Sequence, residues 1–221
     1  MQSFTTPSPV TAVFDIPAGR VQVIAADRAD TAVEVRPADA GSRRDAKAAE
    51  QVTVEYADGT LRVAAPAGNR VLGNSGAVEV TVQLPAGSAV EANAASGEFR
   101  TVGRLGAVAF AGQQAAVKID EAATAHLTVL AGSVSVGRLG GDSEIRTGKG
   151  EIQVGEAAGR MLTLGTEDGN IEVTAAAGVS AALDAGTTLG RVHNALKNAD
   201  GTPGLVIHAT TGRGDITARS L

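Results

Sequence analysis

From Gly97 onward one five-residue phrase recurs: a glycine, a polar residue, an apolar residue, a polar residue and usually a second apolar one. It reads Gly97-Glu98-Phe99-Arg100-Thr101, Gly132-Ser133-Val134-Ser135-Val136, Gly150-Glu151-Ile152-Gln153-Val154, Gly169-Asn170-Ile171-Glu172-Val173 and Gly214-Asp215-Ile216-Thr217-Ala218. Ala115, before Ala116-Val117-Lys118-Ile119, fills the same slot, and Gly190-Arg191-Val192 is a shortened form. The intervals between the slots are 18, 17, 18, 19, 21 and 24 residues. An apolar column stands five residues before the slots (Phe110, Leu127, Ile145, Leu164, Ala185, Ala209), and a Thr column three before the last four (Thr147, Thr166, Thr187, Thr211).

A period this short cannot hold a helical hairpin, and alternation of β-branched residues indicates strands. Two strand segments per period, with glycine at the corner, predict a right-handed parallel β-helix. This is a solenoid of about 18-residue coils whose apolar columns stack inside, roughly 4.8 Å per coil. The alternative is an antiparallel sandwich, which also has short strands and Gly turns. The Thr column is read as lying in a turn.

Before residue 92 the strands alternate without that period, as in Val21-Gln22-Val23, Val33-Glu34-Val35, Val52-Thr53-Val54-Glu55-Tyr56 and Val78-Glu79-Val80-Thr81-Val82. Turn chemistry separates them at Pro17-Ala18-Gly19, Pro66-Ala67-Gly68 and Pro85-Ala86-Gly87, and Asp58-Gly59 predicts a tight hairpin. Ser42 is placed to cap a short helix over 42–51. The chain therefore divides into a tail at 1–9, a β-rich N-terminal cap at 10–91, and a repeat body at 92–221 with an insertion at 193–204.

Composition removes several function classes. Net charge is −5, spread along both halves, and only 5 residues are aromatic, so neither a basic track nor a stacking platform for nucleic acid is present. With no Cys there is no disulfide framework, Cys–zinc site or thiol nucleophile. The start carries no basic n-region, and no run approaches the ~18 apolar residues of a membrane span. The chain thus reads as cytoplasmic, with no membrane span.

Candidate chemistry is sparse. Arg213-Gly214-Asp215 spells the integrin-binding tripeptide but coincides with a repeat corner. Gly140-Gly141-Asp142 lacks the nine-residue recurrence of calcium repeats. A glycan enzyme on a β-helix would need clustered carboxylates and aromatic platforms. Glu151 with Glu172 and Glu167-Asp168 are the nearest approach, without aromatics. His126, His193 and His208 share no metal-ligand spacing, so no metal, cofactor or catalytic residue is assigned, and a small-molecule ligand is not expected. The last interval and the chain's last strand attract attention instead. Parallel coils leave unpaired backbone at the end, which must be covered or pair with another chain. His193, Asn194, Lys197, Asp215 and Thr217 are the expected partner or edge contacts, with the strand Asp215–Ala218 as the open edge.

The stretches Ala26–Pro37, Ala49–Gly59 and Val82–Ser88, together with Thr211-Gly212-Arg213-Gly214-Asp215-Ile216-Thr217, resemble a bacterial family of β-strand-repeat proteins. That family is a domain of unknown function often labelled as adhesin, and the likeness is to its actinobacterial, cytoplasmic-looking members. The resemblance implies a single-chain right-handed β-helix with an N-terminal β-rich cap, and no established activity or catalytic residues. The function expected is a non-enzymatic scaffold or interaction module that binds a protein partner or itself. A cell-surface adhesin domain and a glycan-active enzyme are the alternatives.

Overall fold

The computed structural model describes residues 1–65, 76–198 and 201–221; the Pro66-Ala67-Gly68 turn lies outside these. The strands form two stacks, and the chain passes repeatedly from one to the other. One stack contains β2 (Thr11–Asp15), β6 (Thr60–Ala64), the start of β8 (Ala89–Val102), β11 (Ser143–Lys149), β13 (Met161–Asp168), β17 (Leu205–Arg213) and β15 (Ala181–Leu189). The other contains β7 (Val78–Pro85), β3 (Ala18–Ala26), the end of β8, β10 (Val134–Leu139), β12 (Ile152–Ala157), β14 (Ile171–Ala175), β18 (Ile216–Ser220) and β16 (Val192–Ala195). Long β9 (Arg104–Ala131) bends through both: Val108 lies beside Val90, Val117 beside Val134, and Leu127 beside Ile145.

These pairs are all parallel, so the fold is an all-β stack of coils rather than an antiparallel sandwich. Alternation explains the core. Val117, Val134, Ile152, Ile171 and Ile216 stand in register and are buried, as are Leu127, Ile145, Leu164 and Ala209. Each buried Val, Leu or Ile contributes about 1.5–3 kcal/mol.

Antiparallel pairs occur only towards the N-terminal end, among the described residues. There β1 (Gln2–Thr5) joins β4 (Asp30–Pro37), β4 joins β7, and β5 (Thr53–Ala57) joins β6. The β5–β6 hairpin turns at Asp58-Gly59 with both φ positive (50° and 76°), the turn that matches strand twist. Helix α1 (Arg43–Glu50) starts as expected at Ser42, whose Oγ accepts the Asp45 N–H at 3.3 Å.

The glycine corners have a steric cause. At Gly150, with φ +147°, a Cβ would sit 2.2 Å from the Gly132 carbonyl oxygen of the neighbouring coil. That close approach leaves no room for a side chain. Each corner carbonyl then needs a donor, and the Thr column supplies it. Thr147 Oγ donates to Gly132 O (3.1 Å), Thr166 to Gly150 O (3.1 Å) and Thr211 to Gly169 O (2.9 Å). The Thr residues therefore lie within β11, β13 and β17, not in a turn: from the strand each hydroxyl reaches across one coil spacing.

The order of the last two coils corrects the expected edge. β17 pairs with β13 on one side and β15 on the other, and β18 pairs with β14 and β16. The chain skips one place after β14, builds the outermost coil first, then returns to fill the gap. Asp215–Ala218 is consequently an interior strand. The 21-residue interval climbs two coil spacings, about 9.6 Å, instead of one, and the 24-residue interval must run back one spacing against the direction of the stack.

Candidate functional site

The two strands of the outermost coil, β15 and β16, have neighbours on one side only among the described residues. In a parallel ladder that leaves a row of N–H and C=O groups pointing away from the body. Arg191 is turned inward, its carbonyl accepting the Ile216 N–H at 2.9 Å. Alternation then directs the main-chain groups of Val192 and Asn194 outward.

The apolar core is also open here. Val192 continues the Ile152–Ile171–Ile216 column, yet it is 46% exposed where Ile216 is 0%. Leu183 and Ala185, beside fully buried Ile207 and Ala209, are half-buried. Leu189, at the end of β15, is 64% exposed but stands outside this core, in the outward column of Lys149, Asp168 and Arg213. Asn194 takes the position that Ala218 and Val173 hold further in, and its Oδ1 accepts the Leu196 N–H at 3.0 Å. The terminal coil thus presents two strand edges with an apolar floor between them.

Of the residues singled out in the sequence, His193 and Asn194 lie on the edge strand β16, facing Thr217 and Ala218. Thr217 sits one strand further in, between Glu172 and His193. Asp215 is occupied at the corner: its Oδ1 accepts the Arg191 N–H and its N–H donates to Asn170 Oδ1, both at 2.8 Å. With Arg213 held to Asp168 at 3.2 Å, the Arg-Gly-Asp tripeptide is a corner locked between two coils. Lys197 lies in the connection that returns from the outermost coil. Its N–H donates to Ser220 Oγ (3.0 Å), and its carbonyl accepts the Ala181 N–H (3.0 Å). Sequence reasoning missed Leu183; only the lengthened intervals signalled that its coil was outermost.

A second feature is a groove of about 500 Å³ along the flank of the β2-containing stack, lined by Glu91, His126, Asp142, Glu144, Met161 and Thr163 among others. Two of its three carboxylates, Asp142 and Glu144, are engaged. Hydrogen bonding to the Arg146 guanidinium holds Glu144 below the usual carboxylate range, and the backbone N–H groups of Met161 and Arg160 do the same for Asp142. Such groups stay ionised at neutral pH, the opposite of what a general acid requires. Glu172 lies beside Gln153 and Thr217, not Glu151, and pairs with Arg219 at 3.1 Å. Among the described residues no three His, Cys, Asp or Glu converge for a metal ion. No helix there is long and apolar enough to cross a membrane.

Comparison with solved structures places this architecture. A crystal structure of a candidate adhesin from Bacteroides fragilis NCTC 9343 superposes with a TM-score of 0.62 at 11% identity, covering 98% of this chain and 95% of that one. A candidate adhesin from Parabacteroides distasonis ATCC 8503 gives 0.52 at 12% identity, with 98% and 95% covered. At such identities the likeness concerns the fold. No curated protein matches the sequence. The family model described as Toastrack DUF4097 matches residues 13–218, and the chain belongs to that family.

Proposed function

We propose that the protein is a non-enzymatic interaction module: a right-handed β-solenoid of about 18-residue coils that docks a protein through its outermost coil. In this reading residues 10–91 cap one end, and 92–221 carry the binding end. The observation that supports it is the open coil itself, two edges with no strand beyond them among the described residues, flanking Val192 and Leu183. His193, Asn194 and Lys197 would meet the partner there directly, and Thr217 and Asp215 would hold the edge strand in place. The adhesin assignments of the structural neighbours agree with a binding role. Lacking cysteine, the fold is indifferent to the redox state of its compartment, so the same module works in the cytoplasm or at the cell surface.

A photo-crosslinking residue in place of His193 tests this in cells that express the protein. A defined protein adduct at 193, absent when the same residue replaces Glu79 near the other end, is expected. Equal adducts at the two positions, or none at 193, would overturn the reading.

A further inference from the structure

We infer that the occupant of the open coil is a second copy of this chain, joined end to end about a two-fold axis. The inference rests on the interaction-module reading and names its partner. An extended peptide could pair with β15 or with β16, but it would cover one strand edge and leave the apolar floor exposed. What fits is a surface with two strand edges at the same separation and an apolar cross-section of the same size between them. The molecule has such a surface in its own terminal coil. Apposed about a two-fold axis, the edges meet antiparallel, β16 and the part of β15 beyond Ala181 gain the missing hydrogen bonds, and Val192 and Leu183 are covered from both sides.

Charge and sequence agree. Between Ala181 and Ala195 the fully charged residues are one Asp (Asp184) and one Arg (Arg191), so the two ends meet without net repulsion although the chain carries −5. Edges that must stay unpaired are blunted by Lys, Pro or bulges. The stretch 181–195 contains neither Lys nor Pro, and β15 and β16 pair with β17 and β18 without a register shift. The opposite end differs: β5, α1 and the β1–β4 pair close it with antiparallel strands and a helix. Head-to-tail stacking is thereby disfavoured, and the assembly closes at two.

Sedimentation equilibrium of the whole chain decides it. At high micromolar concentration the wild type is expected at twice the 22.0 kDa chain mass, dissociating on dilution. Leu183→Lys with Val192→Lys, both on the open floor, should halve the apparent mass with an unchanged circular dichroism spectrum. Met161→Lys, at an exposed apolar residue on the flank, should leave the dimer intact. A wild type of single-chain mass at every concentration, a double variant that still dimerises, or a Met161 variant that dissociates as fully would overturn the two-fold assembly. If the wild type is monomeric while the crosslinker at 193 still captures a different protein, self-pairing falls and the interaction-module reading stands. If neither occurs, both fall.

Discussion

Thr187 donates its hydroxyl to the carbonyl of Gly214 at 3.0 Å, although Gly214 comes 27 residues later in the chain. In the coils before it, the corner carbonyl met by each Thr belongs to the preceding coil: Thr147 meets Gly132, and Thr166 meets Gly150. Thr187 would by that rule meet Gly169, but Thr211 occupies Gly169. The same motif thus works in either chain order, and the exchange of two coils costs no corner hydrogen bond.

The Thr column gives the first prediction. Thr166→Val keeps the shape but removes the donor to the Gly150 carbonyl. Leaving a buried acceptor unpaired should cost about 1–3 kcal/mol in urea unfolding. Thr101 is the control, since its buried Oγ1 has no partner among the described residues. Thr101→Val should be neutral or stabilising. Equal losses at the two sites would show that the corner bonds contribute nothing.

Ile152 is 1% exposed in the middle of its column, and Glu151 beside it is exposed. Ile152→Asp buries a carboxylate without a partner and should destabilise by several kcal/mol, about 4 or more, whereas Glu151→Ala stays within about 0.5 kcal/mol. Thermal melts of the pair read out the alternation. Similar shifts would mean that the faces are assigned wrongly.

Gly150→Ala and Gly186→Ala separate two kinds of glycine. The first places a Cβ 2.2 Å from a carbonyl oxygen at φ +147°, while the second meets nothing within 4 Å and has an ordinary φ. The first should lower the melting temperature sharply. The second should leave it unchanged or raise it by up to about 1 kcal/mol equivalent, through reduced freedom of the unfolded chain.

Asp142 gives a pH-dependent prediction. The backbone N–H groups of Met161 and Arg160 lower its pKa from the ordinary 3.8. A depressed carboxylate stabilises the fold above its unfolded pKa, and that contribution is lost as pH falls through the folded value. The stability difference between wild type and Asp142→Asn should therefore be constant near neutrality and shrink below about pH 4. A gap that widens with acid would contradict the assignment.

Much of this architecture was legible in the sequence, for reasons visible at single residues. Val134, Ile152 and Ile171 announce their column because a parallel coil must repeat side-chain facing at a fixed interval. Ser42 and Asp58-Gly59 act through local hydrogen bonding and backbone preference, which a few neighbours decide. The phrase Gly19-Arg20-Val21-Gln22-Val23 has the same form as the later repeats and pairs with Gly97–Thr101, but it stands 78 positions earlier and falls outside the regular period. Coil order was not legible. Ile216 fits equally well between Ile171 and Val192 or beyond Val192, so the pattern is degenerate, and only connection length distinguishes the arrangements. The sequence pattern alone therefore puts the open edge on the strand Asp215–Ala218, which is paired on both sides, while of the five expected contacts His193 and Asn194 are the ones on the edge strand.

Hydrogen exchange at low protein concentration tests the coil order without any substitution. In sequential stacking the last strand would be outermost, and the amides of β18 would exchange fastest. In the structure β18 is paired on both sides, the Ile216 N–H donating to the Arg191 carbonyl at 2.9 Å. The outward amides of Val192 and Asn194 have no strand beyond them among the described residues. Interior ladder amides open only with larger unfolding events, while edge amides exchange by local fluctuation. Residues 216–218 should therefore be protected at least about tenfold more than Val192 and Asn194, a difference of about 1.4 kcal/mol in opening free energy. Concentrating the sample until the two-fold assembly forms should slow Val192 and Asn194 and leave Ile216 unchanged. Faster exchange at 216–218 than at 192–194 in the dilute sample would restore the sequential order and remove the open coil on which the docking surface depends.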